Sequence, residues 1–244
     1  MLDDLQFLYL IVPALLFSAW ASWRVKVNFA AGQQVTARCG LTGAEAAERV
    51  LKEAGVIAQI EETEGTLSDH YDPRDKVLRL SGEVYSGKSL AAIGVAAHEA
   101  GHAIQDGLNY PLLKLRNLAV PLASFGSSTG MLIVLAGLSM VSVEQVLGKW
   151  VLLAGIGIFS LTVIFQLLNL PVEFDATRRG RENLIKAGLV AEDEDKVVGK
   201  VLEAAALTYV GATLTSMAQL AYFILKALNP PKKSSRGGRS RRRQ

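Results

Sequence analysis

Residues 89–105 read SLAAIGVAAHEAGHAIQ, and this stretch decides how the rest of the chain is read. Ser89 is a helix N-cap, and Gly107 is placed to end the helix it opens. Ile93, Ala96, Ala97, Ala100 and Ile104 make that helix apolar on several sides, so it is expected to be buried. Inside it lies His98-Glu99-Ala100-Gly101-His102, an H-E-x-x-H pattern. Residues four apart share one helical face, so the two imidazoles can hold one Zn²⁺ at about 2.0–2.1 Å each. Glu99 flanks the metal and can take a proton from the zinc-bound water and pass it to a leaving amine.

Chance places this pentapeptide in roughly one chain in a hundred of this length. The alternative is a pair of core histidines satisfied by backbone groups. Two imidazoles and a carboxylate buried on an apolar helix without partners would be costly. A catalytic zinc usually takes three protein ligands, so one more is needed. A third histidine six residues on is excluded, because Leu108 stands there. His70, Asp106 and Glu173 remain as candidates. Glu173 is favoured, because two apolar runs between His102 and Glu173 return the chain to the side it left.

Those runs are residues 118–143 and 150–172, with a hairpin expected at 144–149. Residues 5–23 form another uncharged run, long enough to cross a hydrocarbon core of roughly 30 Å. Asp3 and Asp4 stand where a signal peptide carries positive charge, so an uncleaved anchor is expected. A fourth run, 204–225, carries Thr208, Tyr209, Thr213, Thr215, Ser216 and Gln219 and can pack on protein or cross the bilayer. The basic flanks Arg24, Lys26, Lys114, Arg116, Arg178, Arg179 and Arg181 belong on the cytoplasmic side.

Between the first two spans the chain is mixed in polarity and reads as a small α+β unit. Thr42 and Glu45 form a capping box ahead of a helix that Gly55 closes. Residues 56–61 and 77–80 have strand character, with a turn at Asp72-Pro73-Arg74-Asp75. The second strand can be an edge strand that pairs with an extended substrate, or an ordinary sheet strand.

The expected fold is therefore a mainly α membrane protein, with three to four transmembrane helices and a small α+β zincin-like domain carrying the H-E-x-x-H helix. Its parts are an anchor (1–23), the metallopeptidase domain (24–117), a transmembrane hairpin (118–172), a helical segment with the third ligand (173–202), an apolar helix (203–229) and a basic tail (230–244).

Composition agrees with a membrane protein. Half of the 244 residues are hydrophobic and the mean hydropathy is +0.26. The net charge is +3, and acids and bases alternate through the body, so no nucleic-acid partner is expected. Residues 232–243 hold seven Lys or Arg and no acid, suited to anionic lipid. The single cysteine, Cys39, cannot form an internal disulfide.

Several motifs carry a family resemblance: Asp69-His70-Tyr71-Asp72-Pro73, Val77-Leu78-Arg79-Leu80-Ser81, Val95 through Gln105, Pro171-Val172-Glu173-Phe174-Asp175-Ala176, and Ala205 with Leu207-Thr208-Tyr209-Val210. Together they resemble the YugP-like neutral zinc metallopeptidases of bacteria, over nearly the whole chain before the basic tail. The resemblance implies a multi-pass membrane protein, zinc and proteolysis. It singles out His70 and Tyr209 as motif positions. With Tyr71 and Tyr85 they are the candidate donors to an oxyanion. A weaker similarity is to the HtpX and C-a-a-X prenyl protease group, in which E-F-x-A-D supplies a zinc-binding Glu. Glu173-Phe174-Asp175-Ala176 matches its first four positions, but Thr177 replaces the final Asp. Asp175 lies on another helical face and is not expected to substitute.

The expectation is a zinc-dependent endopeptidase acting on membrane proteins or peptides near the bilayer, at a site on the cytoplasmic side. Its metal, one Zn²⁺ per chain, would be held by His98, His102 and Glu173, with Glu99, His70 and Tyr209 as catalytic candidates. The rivals are a zinc transporter or metal-sensing membrane protein, and an inactive scaffold with structural zinc. The intact Glu99 argues against the scaffold.

Overall fold

The computed structural model describes residues 2–141 and 143–229; the basic tail lies outside them. The chain runs through α1 (Leu2–Gln33), α2 (Gly43–Glu53), β1 (Gln59–Thr63), β2 (His70–Asp72), β3 (Val77–Ser81), α3 (Gly82–Tyr85), α4 (Leu90–Gly107), α5 (Pro111–Phe125), a π-helical turn (Gly126–Gly130), α6 (Met131–Val141), α7 (Gln145–Lys186) and α8 (Glu192–Leu228).

Local chemistry sets the expected helix starts. Thr42 Oγ1 accepts from the Glu45 backbone N–H at 3.2 Å, and Glu45 Oε2 accepts from the Thr42 N–H at 2.7 Å. Gly55 then takes φ +67°, which lets the chain leave α2. Ser89 Oγ accepts from the Ala92 N–H at 3.2 Å and starts α4. Helix α4 is enclosed by α2, α7, α8 and the sheet, and Val50, Leu78, Leu80, Leu90, Ile93, Leu184 and Val198 form the core around it.

The sheet order is β1-β3-β2, with β1 parallel and β2 antiparallel to β3. Residues 77–80 therefore lie in the central strand: of the two alternatives the ordinary sheet strand holds, and the edge strand does not. Val77, Leu78 and Leu80 are buried, as befits a strand covered on both faces. The edge strands are β1 and β2, the latter a three-residue element too short to show a period in the sequence.

Among the described residues, four helices are long and apolar enough to cross a membrane: α1, the α5–α6 unit, α7 and α8. Leu16, Leu132 and Trp150 are among the large apolar side chains exposed along them, as lipid-facing surfaces require. The second and third of these helices join more tightly than expected. Helix α7 already begins at Gln145, and Gly148 in its first turn lets it approach the Val141 backbone of α6. Gly137 lets α6 meet the Leu152 backbone closely.

The fourth run packs along the others for its full length. Phe7 meets Tyr222 with ring centroids 5.8 Å apart, Ser18 Oγ lies 3.0 Å from Thr215 Oγ1, and Phe159 meets Phe223. Helix α8 thus runs antiparallel to both α1 and α7. In its apolar window 44% of residues are buried, against 11% for α1, so α8 is the more enclosed of the two. Its buried hydroxyls Thr213 and Ser216 need no water. Thr213 donates to the Tyr209 carbonyl at 2.8 Å and Ser216 to that of Thr213 at 2.9 Å.

Candidate metal centre

Helix α4 places His98 and His102 one turn apart, with ring centroids 4.9 Å apart and planes at 81°. Helix α7 crosses it and delivers Glu173. Glu173 Oε2 lies 3.3 Å from His98 Nε2 and 3.5 Å from His102 Nε2. The crossing is close because each helix turns a glycine toward the other's backbone. A Cβ on Gly101 would sit 2.1 Å from the Ala176 carbonyl oxygen, and one on Gly180 would sit 2.3 Å from that of Ala97. Gly101 thus does structural work inside the H-E-x-x-H motif itself. Pro171 lies within α7 without ending it, so Glu173 rides on the same helix as the third apolar run.

The donor set fits a transition metal. Tetrahedral bonds of about 2.0–2.1 Å put ligand atoms roughly 3.3–3.4 Å apart, close to the two observed separations. Glu173 is 2% exposed, and its Oε2 is buried without a hydrogen bond, although two ring nitrogens lie near it. Three donors converging on a common point, rather than bonding one another, is the arrangement a cation satisfies. A carboxylate oxygen left so without one would be expensive. The other oxygen, Oε1, accepts from Arg116 Nη2 at 3.3 Å, while Arg116 Nε donates to Asn169 Oδ1 at 2.9 Å.

Outer hydrogen bonds orient the imidazoles. His98 Nδ1 lies 3.0 Å from Thr177 Oγ1, and His102 Nδ1 lies 3.1 Å from Gln105 Oε1. Gln105 Nε2 in turn donates to the Val172 carbonyl at 2.8 Å and to Asp175 Oδ2 at 3.0 Å. His102 Nδ1–H donates to the Gln105 oxygen, which leaves its Nε2 lone pair to face Glu173, and Thr177 Oγ1 is placed to accept from His98 Nδ1 in the same tautomer. Asp175 is itself held by Arg178 and Arg179. Asp175 does not stand in for the missing acid beside His98, where Thr177 lies; it reaches the site by another route, through Gln105 to His102. Thr177 contacts His98 directly, where the similar group carries an acid. Burial alone lowers the His102 pKa, but the adjoining Glu173 carboxylate, with Glu99 behind it, outweighs burial and raises it.

The other third-ligand candidates are elsewhere. Asp106 accepts from the Tyr71 hydroxyl at 2.9 Å. His70 is exposed, with Nδ1 2.7 Å from the Ser68 carbonyl, and among the described residues only His98, His102 and Glu173 form a three-donor cluster. Glu99 and Tyr209 line two cavities that meet at the centre. One, of about 150 Å³, is polar and is walled by His70, Tyr71, Arg116 and Asn117. The second, of about 160 Å³, is apolar and is walled by Val25, Phe29, Val95, Leu202, Ala205 and Ala206. Sequence reasoning missed Arg116, Asn169 and Gln105 as parts of the site. Asn169 and Gln105, polar residues within apolar helices, were the available signal.

Four helices apolar enough to span a bilayer, carrying a largely buried His-His-Glu set, define a protein with candidate membrane spans and a centre suited to a transition metal. The chain belongs to the family described as "putative neutral zinc metallopeptidase", whose match covers residues 7–228. It is 43% identical over 226 residues to the "Putative membrane protease YugP" of Bacillus subtilis (strain 168), covering 91% of this chain and 97% of that protein. No solved structure matches it.

Proposed function

We propose that the chain is a zinc-dependent endopeptidase that hydrolyses peptide bonds of membrane proteins or peptides near the bilayer. The observation that carries this reading is the buried, unbonded Oε2 of Glu173, 3.3 and 3.5 Å from two imidazole nitrogens, with Glu99 beside them. His98, His102 and Glu173 would hold one zinc ion. When bound, zinc supplies Lewis-acid chemistry, acidifying the attacking water and polarising the scissile carbonyl.

The remaining work belongs to the chain's own side chains. Glu99 accepts the proton of the attacking water on a carboxylate oxygen and returns it to the leaving amine nitrogen. Arg116 holds Glu173 in one rotamer through Oε1. Tyr209 stands on the cavity wall, where its hydroxyl can donate to the oxyanion; His70, whose Nδ1–H is held by the Ser68 carbonyl, can do so only through Nε2 as the imidazolium. Edge strand β2, also in that wall, offers backbone groups to an extended peptide. The α+β segment with α4 then works as a zincin-like unit set on four spans. The basic flanks Arg24, Lys26, Lys114 and Arg178 support a cytoplasmic site by the positive-inside rule. The basic tail, residues 232–243, contacts anionic lipid, and no nucleic acid takes part.

The test is the purified full chain beside Glu99→Gln, assayed for bound zinc and for cleavage of a quenched peptide. Zinc in both and cleavage by the parent alone is expected. Equal cleavage by both, or zinc flux into liposomes without any hydrolysis, overturns the proposal, the second in favour of a transporter.

A further inference from the structure

The two cavities at the centre differ in chemistry, and the difference selects substrate. We propose that the apolar cleft receives one large aliphatic or aromatic side chain of the substrate, from the residue on one side of the scissile bond, and that Ala205 and Phe29 set the size it accepts. The inference rests on the peptidase reading and names the substrate class for that same site.

Continuity comes first. The cleft shares His98, Glu99, Glu173 and Tyr209 with the polar cavity, so a side chain seated in it belongs to a backbone lying at the metal donors. Size comes second. Its volume of about 160 Å³ is close to that of apolar protein cavities of about 150 Å³ that take up benzene. Charge comes third. Of the three carboxylates on its wall, Asp69 accepts from the Ser81 N–H at 2.8 Å and from its hydroxyl at 3.0 Å, Glu173 accepts from Arg116, and Glu99 is the proposed base at the metal end. Among the described residues no lysine or arginine lines the cleft to pair with an acidic side chain. Place comes last. Val25 and Phe29 follow the basic end of the first apolar run, and Ala205 and Ala206 begin the fourth. The cleft therefore lies where α1 and α8 would leave the bilayer, and its occupant is an apolar residue at the end of a membrane-embedded segment. The polar cavity, with His70, Arg116 and Asn117, takes the water-facing side of the same peptide.

The experiment uses the zinc-loaded full chain in nanodiscs with quenched peptides of one frame. Leu, Phe, Ala, Asp or Lys is placed on either side of the scissile bond, and products are assigned by mass spectrometry. Burying one such side chain should raise kcat/KM for Leu or Phe over Asp or Lys by roughly ten- to a hundredfold, on one side of the bond only. Ala205→Phe, which fills the cleft, should lose that advantage at least about tenfold, with the loss falling on the Leu and Phe peptides more than on the Ala peptide. Phe29→Ala, which enlarges it, should shift the optimum from Leu toward Phe. Zinc content of each variant confirms that its centre is assembled. Like rates on all peptides, a preference for Lys, or a uniform loss in zinc-replete Ala205→Phe would overturn the assignment and leave the peptidase reading standing. No cleavage of any peptide by the zinc-loaded parent would overturn both.

Discussion

Replacing Gly101 by alanine should damage the metal centre more than the fold. The added Cβ would lie 2.1 Å from the Ala176 carbonyl oxygen and 2.8 Å from its carbonyl carbon, where ordinary contact begins at 3.4 Å. Relieving the closer overlap moves α4 and α7 apart by 3.4 − 2.1 = 1.3 Å. Metal–ligand distances tolerate only about 0.2 Å. Glu173 precedes Ala176 by three residues on α7, so the separation is carried straight to its carboxylate. Overpacking of this kind costs about 1–3 kcal/mol, and the helix-propensity gain of alanine over glycine returns about 1 kcal/mol. Folding should therefore survive. Disturbing an outer partner of a metal ligand already costs about 10–100-fold in affinity, so displacing a ligand should cost roughly a hundredfold or more. The assay is zinc competition against a chelating dye in detergent, with circular dichroism to verify helicity. Gly157→Ala is the control, since a Cβ there meets nothing within 4 Å. A folded Gly101→Ala protein that binds zinc within about threefold of the parent would refute the claim that this backbone contact positions the third ligand.

Other outcomes follow from the same geometry. Thr177→Val removes the oxygen beside His98 Nδ1 and should weaken zinc binding about tenfold, whereas Thr177→Asp, which restores an acceptor, should not; equal affinities would show that this contact does not orient the ring. Arg116→Met should lower zinc affinity about 10–100-fold, and Arg116→Lys should rescue it only in part, because one ammonium cannot serve both Glu173 and Asn169 in the guanidinium's fixed fork. The raised His102 pKa makes the metal-free protein most favoured below the ordinary histidine value of 6.5, with that contribution lost as pH rises through the higher folded value. Protons and zinc compete for the same nitrogen, so the zinc-dependent rise in Tm should grow with pH across that window. A zinc increment that does not change with pH would contradict it.

The α4 helix, its Ser89 cap, the capping box of α2, the H-E-x-x-H face and the apolar runs were all legible in the sequence. Each depends on residues within a few turns of one another, where 3.6-residue periodicity and side-chain capping act locally. Glu173 could be ranked above His70 and Asp106 only by counting passages of the chain and by resemblance. Its placement was decided by a contact between Gly101 and Ala176, which are distant in sequence. The central position of β3, the three-residue β2, the link from Asp175 through Gln105 to His102, and the hold of Arg116 on Glu173 were decided the same way. A short strand has no period to read, and a polar side chain on an apolar helix does not name its partner. The residue types determined that a metal could be bound, while the crossing of two helices determined where its third donor would stand.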